Sequence, residues 1–204
     1  MMYYRGTING TTIERKRTSL MKISVVSDTH GSLQGWEPED CITSVTDSII
    51  HCGDLFNHGP GNPIPEKYAP KELLEKFNSI EKQLLVVKGN CDSEVDQKML
   101  NVPITYPFLI LQIDRTRILA SHGHLFKEEE IISLSKKWHL NIIITGHTHK
   151  WKLETHGNFI WLNPGSTSIP KDSPSSFSLI DTDKRIVKVF NLNTKEILAE
   201  CPFL

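Results

Sequence analysis

The stretch LLVVKGNCD, residues 84–92, holds the pattern that decides the fold. Its apolar part, LLVV, predicts a buried strand, and a glycine follows where that strand would end. Three polar side chains come directly after the glycine: Asn90, Cys91 and Asp92. The stretch therefore predicts either a turn or part of a functional site at a strand end.

Outward from this stretch, the first half of the chain alternates between short apolar runs and helical patterns. A helix near Pro38 would place Ile42, Val45 and Ile49 on one face. The order strand, helix, strand, helix, strand predicts parallel βαβ units. The segments are KISVVS (22–27), the helix near residue 38, SII (48–50), the helix APKELLEKFNSIEKQ (69–83) and LLVVK (84–88).

The second half predicts a second sheet. FLILQIDRTRILASHG (108–123) has the pattern of a hairpin, KEEEIISLSKKWHL (127–140) that of a helix, and NIIITG (141–146) that of a buried strand. Three further runs, at 158–165, 176–183 and 185–192, predict antiparallel strands. The expected fold is α/β: a four-layer α/β/β/α sandwich of two mixed sheets with helices outside.

Residues 1–20 differ from the rest of the chain. They carry an excess of basic side chains but lack the apolar core of a signal peptide. The segment MKISVVSD, which begins at Met21, resembles the N-terminus of a protein, with a methionine and a lysine followed by a strand. We interpret residues 1–20 as an N-terminal extension, either poorly ordered or a start-site artefact, with a transit peptide as the alternative. Residues 21–204 are then expected to form a single domain.

The composition excludes several classes of protein. The chain has 204 residues, 38% hydrophobic and 23% charged, with a formal net charge of −1. That charge provides no dedicated nucleic-acid surface and no basic face for a membrane. No apolar stretch approaches the roughly 18 residues that span a bilayer. The four cysteines form no CxxC pair, which favours a reducing cytoplasm over a disulfide framework.

Seven side chains with oxygen or nitrogen donor atoms lie directly after predicted strands, in short motifs that contain glycine or histidine. Taken singly, each has a structural explanation, such as a helix cap, an Asx-turn or a surface histidine. Taken together, they favour a ligand site, because ligands of open α/β sheets bind outside the carboxyl ends of the strands. The donors are Asp28, His30, Asp54, Asn90, His122, His147 and His149.

The residue types indicate a metal centre. Carboxylate, imidazole and amide donors suit Mn²⁺, Fe²⁺, Zn²⁺ or Co²⁺ better than Ca²⁺ or thiolate-bound zinc. Two ions would share one anionic bridge, for which Asp54 is the natural candidate. Such a pair suits in-line displacement at phosphorus and lets a near-neutral protein bind an anionic substrate.

In order along the chain, the motifs D-x-H, G-D, G-N, G-H and G-H-x-H resemble those of the calcineurin-like metallophosphoesterases. The resemblance covers residues 21 to about 170 and implies the four-layer sandwich. It implies that Asp28, His30, Asp54 and His149 hold one metal. It implies that Asp54, Asn90, His122 and His147 hold the other, and that a metal-bridging hydroxide attacks the phosphodiester.

Four longer segments resemble the bacterial YfcE phosphodiesterase subgroup. They are GDLFNHGPGNPIPEKYAP, GNCDSEVDQ, SHGHLF and NPGSTSIPK. This resemblance implies a manganese-dependent phosphodiesterase that acts on small diesters, and by the same analogy a homo-oligomer.

Cys91 departs from the wider family, which usually has a histidine here that aids proton transfer to the leaving group. Cysteine is a weaker hydrogen-bond donor, so the site is expected to lack a general acid. Cys91 as a nucleophile or as a metal ligand is disfavoured. In the wider family, the acidic residue at the position of Asp92 orients that histidine. Here, Asp92 is expected either to keep a role in the site or simply to form a turn.

Several residues near the motifs remain open between a structural and a functional role. His124 and His58 are candidates for proton transfer or phosphate contact, and Asn57 with His58 would lie on a substrate-side loop. Glu94 and Gln97 could be surface or rim residues. His51, His139 and His156 are interpreted as structural or surface histidines.

Two other functions fit parts of the sequence. A phosphomonoesterase or a cyclic-nucleotide phosphodiesterase could use the same site, because the motifs do not separate these substrates. A binding scaffold, like the retromer subunit with this fold, could have lost catalysis. A scaffold has no need for all seven donors, and their presence favours the enzyme.

Overall fold

The computed structural model describes residues 3–8, 11–16, 21–36 and 41–203. Within residues 1–20, it describes strands β1 (Tyr3–Ile8) and β2 (Thr11–Lys16), which pair antiparallel as a separate two-stranded sheet. The interpretation of residues 1–20 as an extension outside a single domain of residues 21–204 stays a prediction.

Twelve further strands and four helices follow within the described residues. The strands are β3 (Lys22–Val26), β4 (Ser48–His51), β5 (Gln83–Val87), β6 (Ile104–Thr105), β7 (Phe108–Ile113), β8 (Thr116–Ser121), β9 (Ile142–Ile144), β10 (Trp151–His156), β11 (Phe159–Pro164), β12 (Ser176–Asp181), β13 (Ile186–Asn191) and β14 (Ile197–Pro202). The helices are α1 (Cys41–Ser44), α2 (Pro70–Ser79), α3 (Glu94–Met99) and α4 (Glu128–Trp138).

The strands form two mixed sheets. The larger sheet has the order β14-β13-β12-β3-β4-β5-β6, with β3 to β6 parallel and the remaining pairs antiparallel. The smaller sheet has the order β10-β11-β9-β8-β7, with β8, β9 and β11 parallel between two antiparallel hairpins. Two mixed sheets confirm the predicted fold class.

Three apolar clusters define the layers. The first joins the facing sides of the two sheets, for example Val25 and Ile50 with Ile118 and Ile142. The second packs α2 on the outer side of the larger sheet through Phe77, and the third packs α4 on the smaller sheet through Ile131. The sandwich is therefore helix, sheet, sheet, helix, as the sequence predicts.

The helix expected near Pro38 is shorter than predicted. Residues 37–40 lie outside the described part of the chain, and α1 ends at Ser44. Ile49 lies in β4, where all four residues are buried, and not on a helix face. The strand begins at Ser48, and Asp47 just before it accepts a hydrogen bond from the backbone N–H of Lys22.

Other boundaries also differ. Helix α2 ends at Ser79, because Ile80 already has an extended backbone and Gln83 begins β5. Helix α3 was not predicted. It begins with a capping box, in which Ser93 accepts from the backbone N–H of Asp96 and the Asp96 carboxylate accepts from that of Ser93.

The strands of the second half are also distributed between the two sheets differently from the prediction. β10 and β14 were not predicted, and both are edge strands with mostly half-buried or exposed residues. β11 pairs parallel with β9 in the smaller sheet, whereas β12 to β14 belong to the larger one.

The topology brings several strand ends to one edge of the sandwich. The carboxyl ends of β3, β4 and β5 are adjacent because these strands are parallel neighbours, and those of β8 and β9 are adjacent for the same reason. None of the helices in the described ranges is long and apolar enough to cross a membrane.

Candidate metal centre

The predicted donors lie at the ends of these parallel strands, and the turns that carry them are tight. Five donors have a positive φ, a conformation that L-residues seldom adopt outside such turns. They are Asp28 (55°), His30 (45°), Asp54 (58°), His147 (69°) and His149 (59°). The backbone is therefore strained at the five residues that carry these side chains.

The first group of donors consists of Asp28, His30 and His149, all buried. Asp28 Oδ1 lies 3.3 Å from His149 Nε2 and 3.7 Å from His30 Nε2. This oxygen is buried, and no described residue forms a hydrogen bond with it. A buried carboxylate oxygen that accepts no hydrogen bond fits a cation.

The second group lies around Asp54. Its Oδ2 is 3.4 Å from His122 Nε2 and 3.7 Å from His30 Nε2, so Asp54 lies between the two groups. Asn90 Oδ1 lies 3.0 Å from His122 Nε2. Asp54 therefore faces both groups of donors, and its role as a bridging carboxylate stays a prediction.

Three imidazoles point the same ring nitrogen into the cluster. The Nδ1 atoms of His30, His122 and His149 lie 2.7, 2.7 and 2.9 Å from backbone carbonyl oxygens. Because a carbonyl oxygen only accepts, Nδ1 carries the proton, and Nε2 of each neutral ring presents a lone pair. Histidines that bind metals are oriented in this way by their second nitrogen.

The inward lone pairs face one another. His30 Nε2 and His149 Nε2 are 3.2 Å apart, and His122 Nε2 faces the Asn90 carbonyl oxygen. Neutral rings would place acceptor against acceptor, an unfavourable arrangement that a shared cation makes favourable. The donors present therefore fit divalent metal ions.

The charges of the cluster are strongly coupled. Burial alone would raise the pKa of Asp28 and Asp54, but the neighbouring imidazoles, His149 and His30 for Asp28 and His122 for Asp54, hold both pKa values below their ordinary range. Burial opposes the charged form of His122, yet Asp54 and Asp28 raise its pKa to about 9. The buried carboxylates and imidazoles thus stabilise each other's charged forms.

His147 and His124 lie at the outer side of the cluster. The backbone N–H of His147 donates to Asp28 Oδ2 at 3.0 Å, while its exposed ring lies 5.2 Å from that of His122. The half-buried ring of His124 is also 5.2 Å from His122. Burial and the nearby imidazoles lower the pKa of both His124 and His147.

Cys91 lies at the rim of the cluster. Its Sγ is within 4.8 Å of ligand atoms of both His30 and Asp54, and the Asn90 amide donates to it at 3.3 Å. Burial and Asp54 raise the pKa of the Cys91 thiol to about 12. The expectation that Cys91 is neither a nucleophile nor a metal ligand stays a prediction.

Asp92 ties two strand ends together. The buried carboxylate accepts from the backbone N–H groups of Asp54, Leu55 and Gly89 at 2.9, 2.7 and 2.7 Å. Burial raises its pKa to about 6, against the effect of these donors. Asp92 is therefore more than a turn residue, because it fixes the segments that present Asp54 and Asn90.

Further support of the cluster was missed by reasoning from sequence. Ser166 and Ser168 both donate to the backbone carbonyl of Asp28, from the segment after β11. Thr29 Oγ1 donates to the Leu55 carbonyl and lies 3.0 Å from Nε2 of the buried His51. These contacts link distant segments, and nothing local in the sequence indicates them.

The predicted substrate-side residues lie beside His30. Asn57 accepts from His30 Nδ1 through its backbone carbonyl, and its side chain is exposed. His58 is half-buried, and its ring lies 5.4 Å from that of Tyr68. Glu94 and Gln97 lie on α3, where both are exposed.

Gly89 is required by the close approach of two strand ends. A Cβ at this position would overlap Oδ1 and the backbone N of Asp54. We expect Gly89→Ala to lower Mn²⁺ affinity by about 10- to 100-fold, as displacement of ligand-orienting groups does. Gly61→Ala is the matched control, because a Cβ there meets no atom within 4 Å. Equal Mn²⁺ affinities in calorimetric titrations of the two variants would contradict the expectation.

Known proteins share both the sequence pattern and the fold. The model of the calcineurin-like phosphoesterase superfamily domain matches residues 21–185. The chain is 39% identical over 184 residues to phosphodiesterase YfcE of Escherichia coli K12, covering 89% of this chain and 97% of that protein. The solved structure of YfcE, a phosphoesterase from E. coli, matches with a TM-score of 0.79 at 36% identity, covering 90% of this chain and 100% of that chain.

A more distant likeness concerns the fold alone. The structure of vacuolar protein sorting 29 from Cryptosporidium parvum matches with a TM-score of 0.62 at 19% identity, covering 90% of this chain and 100% of that chain. The family model and the YfcE match confirm the resemblance seen in the motifs. The chain belongs to the calcineurin-like phosphoesterase superfamily.

Proposed function

We propose that the protein is a dinuclear metal-dependent phosphodiesterase that hydrolyses a small phosphodiester by in-line displacement. The observation that carries the proposal is the inward convergence of imidazole Nε2 atoms on the Asp28 and Asp54 carboxylates. The 39% identity to phosphodiesterase YfcE supports a diester as the substrate.

The two metal sites follow the grouping implied by the motifs. Asp28, His30, Asp54 and His149 would hold one ion, and Asp54, Asn90, His122 and His147 the other. Mn²⁺ is the preferred ion, with Fe²⁺, Zn²⁺, Co²⁺ and Ni²⁺ as alternatives. When bound, such ions activate water for attack and neutralise the phosphoryl oxygens.

The residues of the chain position these groups and shape the rim. Two buried carboxylates in a chain of net charge −1 repel an anionic substrate, so diester binding requires the bound cations. Both polar atoms of the Asn90 side chain have a contact. Its Oδ1 lies 3.0 Å from His122 Nε2, and its amide nitrogen donates to Cys91 Sγ. His124, whose half-buried ring lies 5.2 Å from that of His122, is the candidate for proton transfer at the outer side.

Cys91 sets the expected leaving-group preference. A thiol is a weaker hydrogen-bond donor than the histidine usual at this position, so wild-type protein should favour diesters with good leaving groups. Cys91→His should raise kcat on alkyl diesters by about tenfold or more, since general-acid catalysis contributes about 10²–10⁴-fold when well placed. Cys91→Ser is the control for a change of polarity alone. An unchanged kcat in the histidine variant, measured at the same metal content as wild type, would contradict the expectation that the site lacks a general acid.

The proposed activity is tested on chelator-stripped protein. Hydrolysis of bis(p-nitrophenyl) phosphate is compared with that of p-nitrophenyl phosphate before and after Mn²⁺ is returned. Restored turnover that favours the diester supports the proposal. Restored turnover on the monoester alone would replace it by a phosphomonoesterase, and no turnover with any of the five divalent ions would favour a binding scaffold.

A cytoplasmic setting and a homo-oligomer belong to the same proposal. The free cysteines support a reducing compartment. Strand β7, FLILQI, is an edge strand that carries no charged residue and exposes Ile110, and edges of this kind pair with other chains when nothing covers them. Sedimentation equilibrium tests the oligomer, and a strictly monomeric protein would contradict it.

A further inference from the structure

The loop of residues 57–68, between β4 and α2, is fastened at both ends to the segment that carries His30. At its start, the Asn57 carbonyl accepts from His30 Nδ1 at 2.7 Å. At its end, the Glu66 carbonyl accepts from Ser32 Oγ at 2.6 Å, and the Lys67 carbonyl accepts from the backbone N–H of Leu33 at 3.1 Å. The loop therefore has a fixed position beside the metal ligand.

Two aromatic side chains meet where the ends of this loop come together. The rings of His58 and Tyr68 are perpendicular, with centroids 5.4 Å apart. The Tyr68 ring packs on Gly31, next to His30, so closely that a Cβ at Gly31 would lie 2.6 Å from Tyr68 Cε2. Tyr68 nevertheless keeps 36% of its surface exposed. Tyr68 is thus partly open to solvent while it packs against the residue that follows His30.

The same loop reaches across to Cys91. A Cβ at Gly59, where φ is +73°, would lie 2.9 Å from Cys91 Sγ. The loop thus extends along the rim from the His30 side of the cluster to the Cys91 side. A phosphoryl group held at the donor cluster would have one of its substituents against this loop.

We infer that the loop of residues 57–68 determines specificity, and that Tyr68, supported by His58, binds a planar aromatic substituent of the phosphorus substrate. The inference rests on the proposed function and adds a substrate class to it: aryl or nucleoside esters over small alkyl esters. The Tyr68 ring is partly exposed and is held by an edge contact with the His58 ring. An aromatic group of a ligand can therefore stack on it or make an edge contact with it.

The test compares two non-hydrolysable probes on the Mn²⁺-loaded protein. Phenylphosphonate and methylphosphonate carry the same anionic head and differ in the substituent. Isothermal titration calorimetry should show phenylphosphonate binding about three- to tenfold more tightly to wild type, the range expected for one aromatic pair. Tyr68→Leu should bring the two dissociation constants within about twofold of each other, whereas Tyr68→Phe should keep the preference.

Tyr106→Leu is the matched control, because this tyrosine is 60% exposed and lies outside the loop. A wild type that binds both probes equally, or an unchanged preference in Tyr68→Leu, would overturn the inference and leave the proposed function standing. If neither probe binds Mn²⁺-loaded wild type, the inference is overturned as well, and hydrolysis of bis(p-nitrophenyl) phosphate by the same protein decides separately whether the proposed function stands.

Discussion

Asp54→Asn is expected to lower metal-restored diester hydrolysis on the order of 10³-fold, the upper range for loss of one preorganised electrostatic group. The substitution is nearly isosteric. The amide can keep its Oδ1 acceptor for the Cys91 N–H, now 2.8 Å away, but it loses the anionic Oδ2 between His30 and His122. The variant therefore removes the bridging charge and little else.

Asp114→Asn provides the matched control for this substitution. Asp114 also has a positive φ, 49° against 58° for Asp54, and it is exposed on the β7–β8 turn. Asparagine tolerates this backbone conformation, so neither variant should unfold. The thermal midpoint should rise with Mn²⁺ in the control and wild type, but much less in Asp54→Asn, because ligand binding stabilises only a folded state that binds it. Wild-type turnover by Asp54→Asn would contradict the role of Asp54.

Asp92→Ala is expected to lower the free energy of unfolding by about 4 kcal/mol, because it leaves three buried N–H groups without their charged acceptor. The three groups belong to Asp54, Leu55 and Gly89, so the loss also loosens the segments that hold two of the metal donors. Asp92→Asn should be less destabilising, since one oxygen remains. Urea denaturation with the metal removed gives the values without a contribution from ligand binding.

Asp96→Ala is the comparison for Asp92→Ala. Asp96 is also a buried aspartate, but its bonds close the capping box of α3 and touch no metal donor. We expect a loss of about 1 kcal/mol, as for other helix caps, with Mn²⁺ affinity unchanged. If Asp92→Ala were no more destabilising than Asp96→Ala, Asp92 would not have the supporting role inferred from its contacts.

The sequence predicted the two sheets and the convergence of the polar side chains at one edge because both depend on local patterns, whereas metal binding by these side chains stays a prediction. Apolar runs mark the buried parallel strands, and a polar donor after each run marks the sheet edge where ligands bind. His122 and His149 could thus be placed together with Asp28 although they lie far along the chain. Their convergence follows from parallel pairing, which the alternation of strands and helices already indicates.

Most of the features that were missed leave only a weak pattern in the local sequence. Strands β10 and β14 are edge strands with little burial, so their sequences lack a strong apolar pattern. Helix α3 has only six residues, too few for a clear periodicity. The support of Asp28 by Ser166, and of Asp54 by Asp92, rests on hydrogen bonds to backbone atoms, and such bonds leave no residue pattern that a sequence displays.

The central claim is a pair of metal ions held by one cluster, and electron paramagnetic resonance of the Mn²⁺-loaded protein tests it most directly. Metal-stripped protein is titrated with Mn²⁺, and bound ions per chain are counted alongside the spectrum. The account predicts two bound ions with the signal of an exchange-coupled pair, and loss of that coupling in Asp54→Asn. A single uncoupled Mn²⁺ per chain at saturation, or no bound ion, would contradict the dinuclear site.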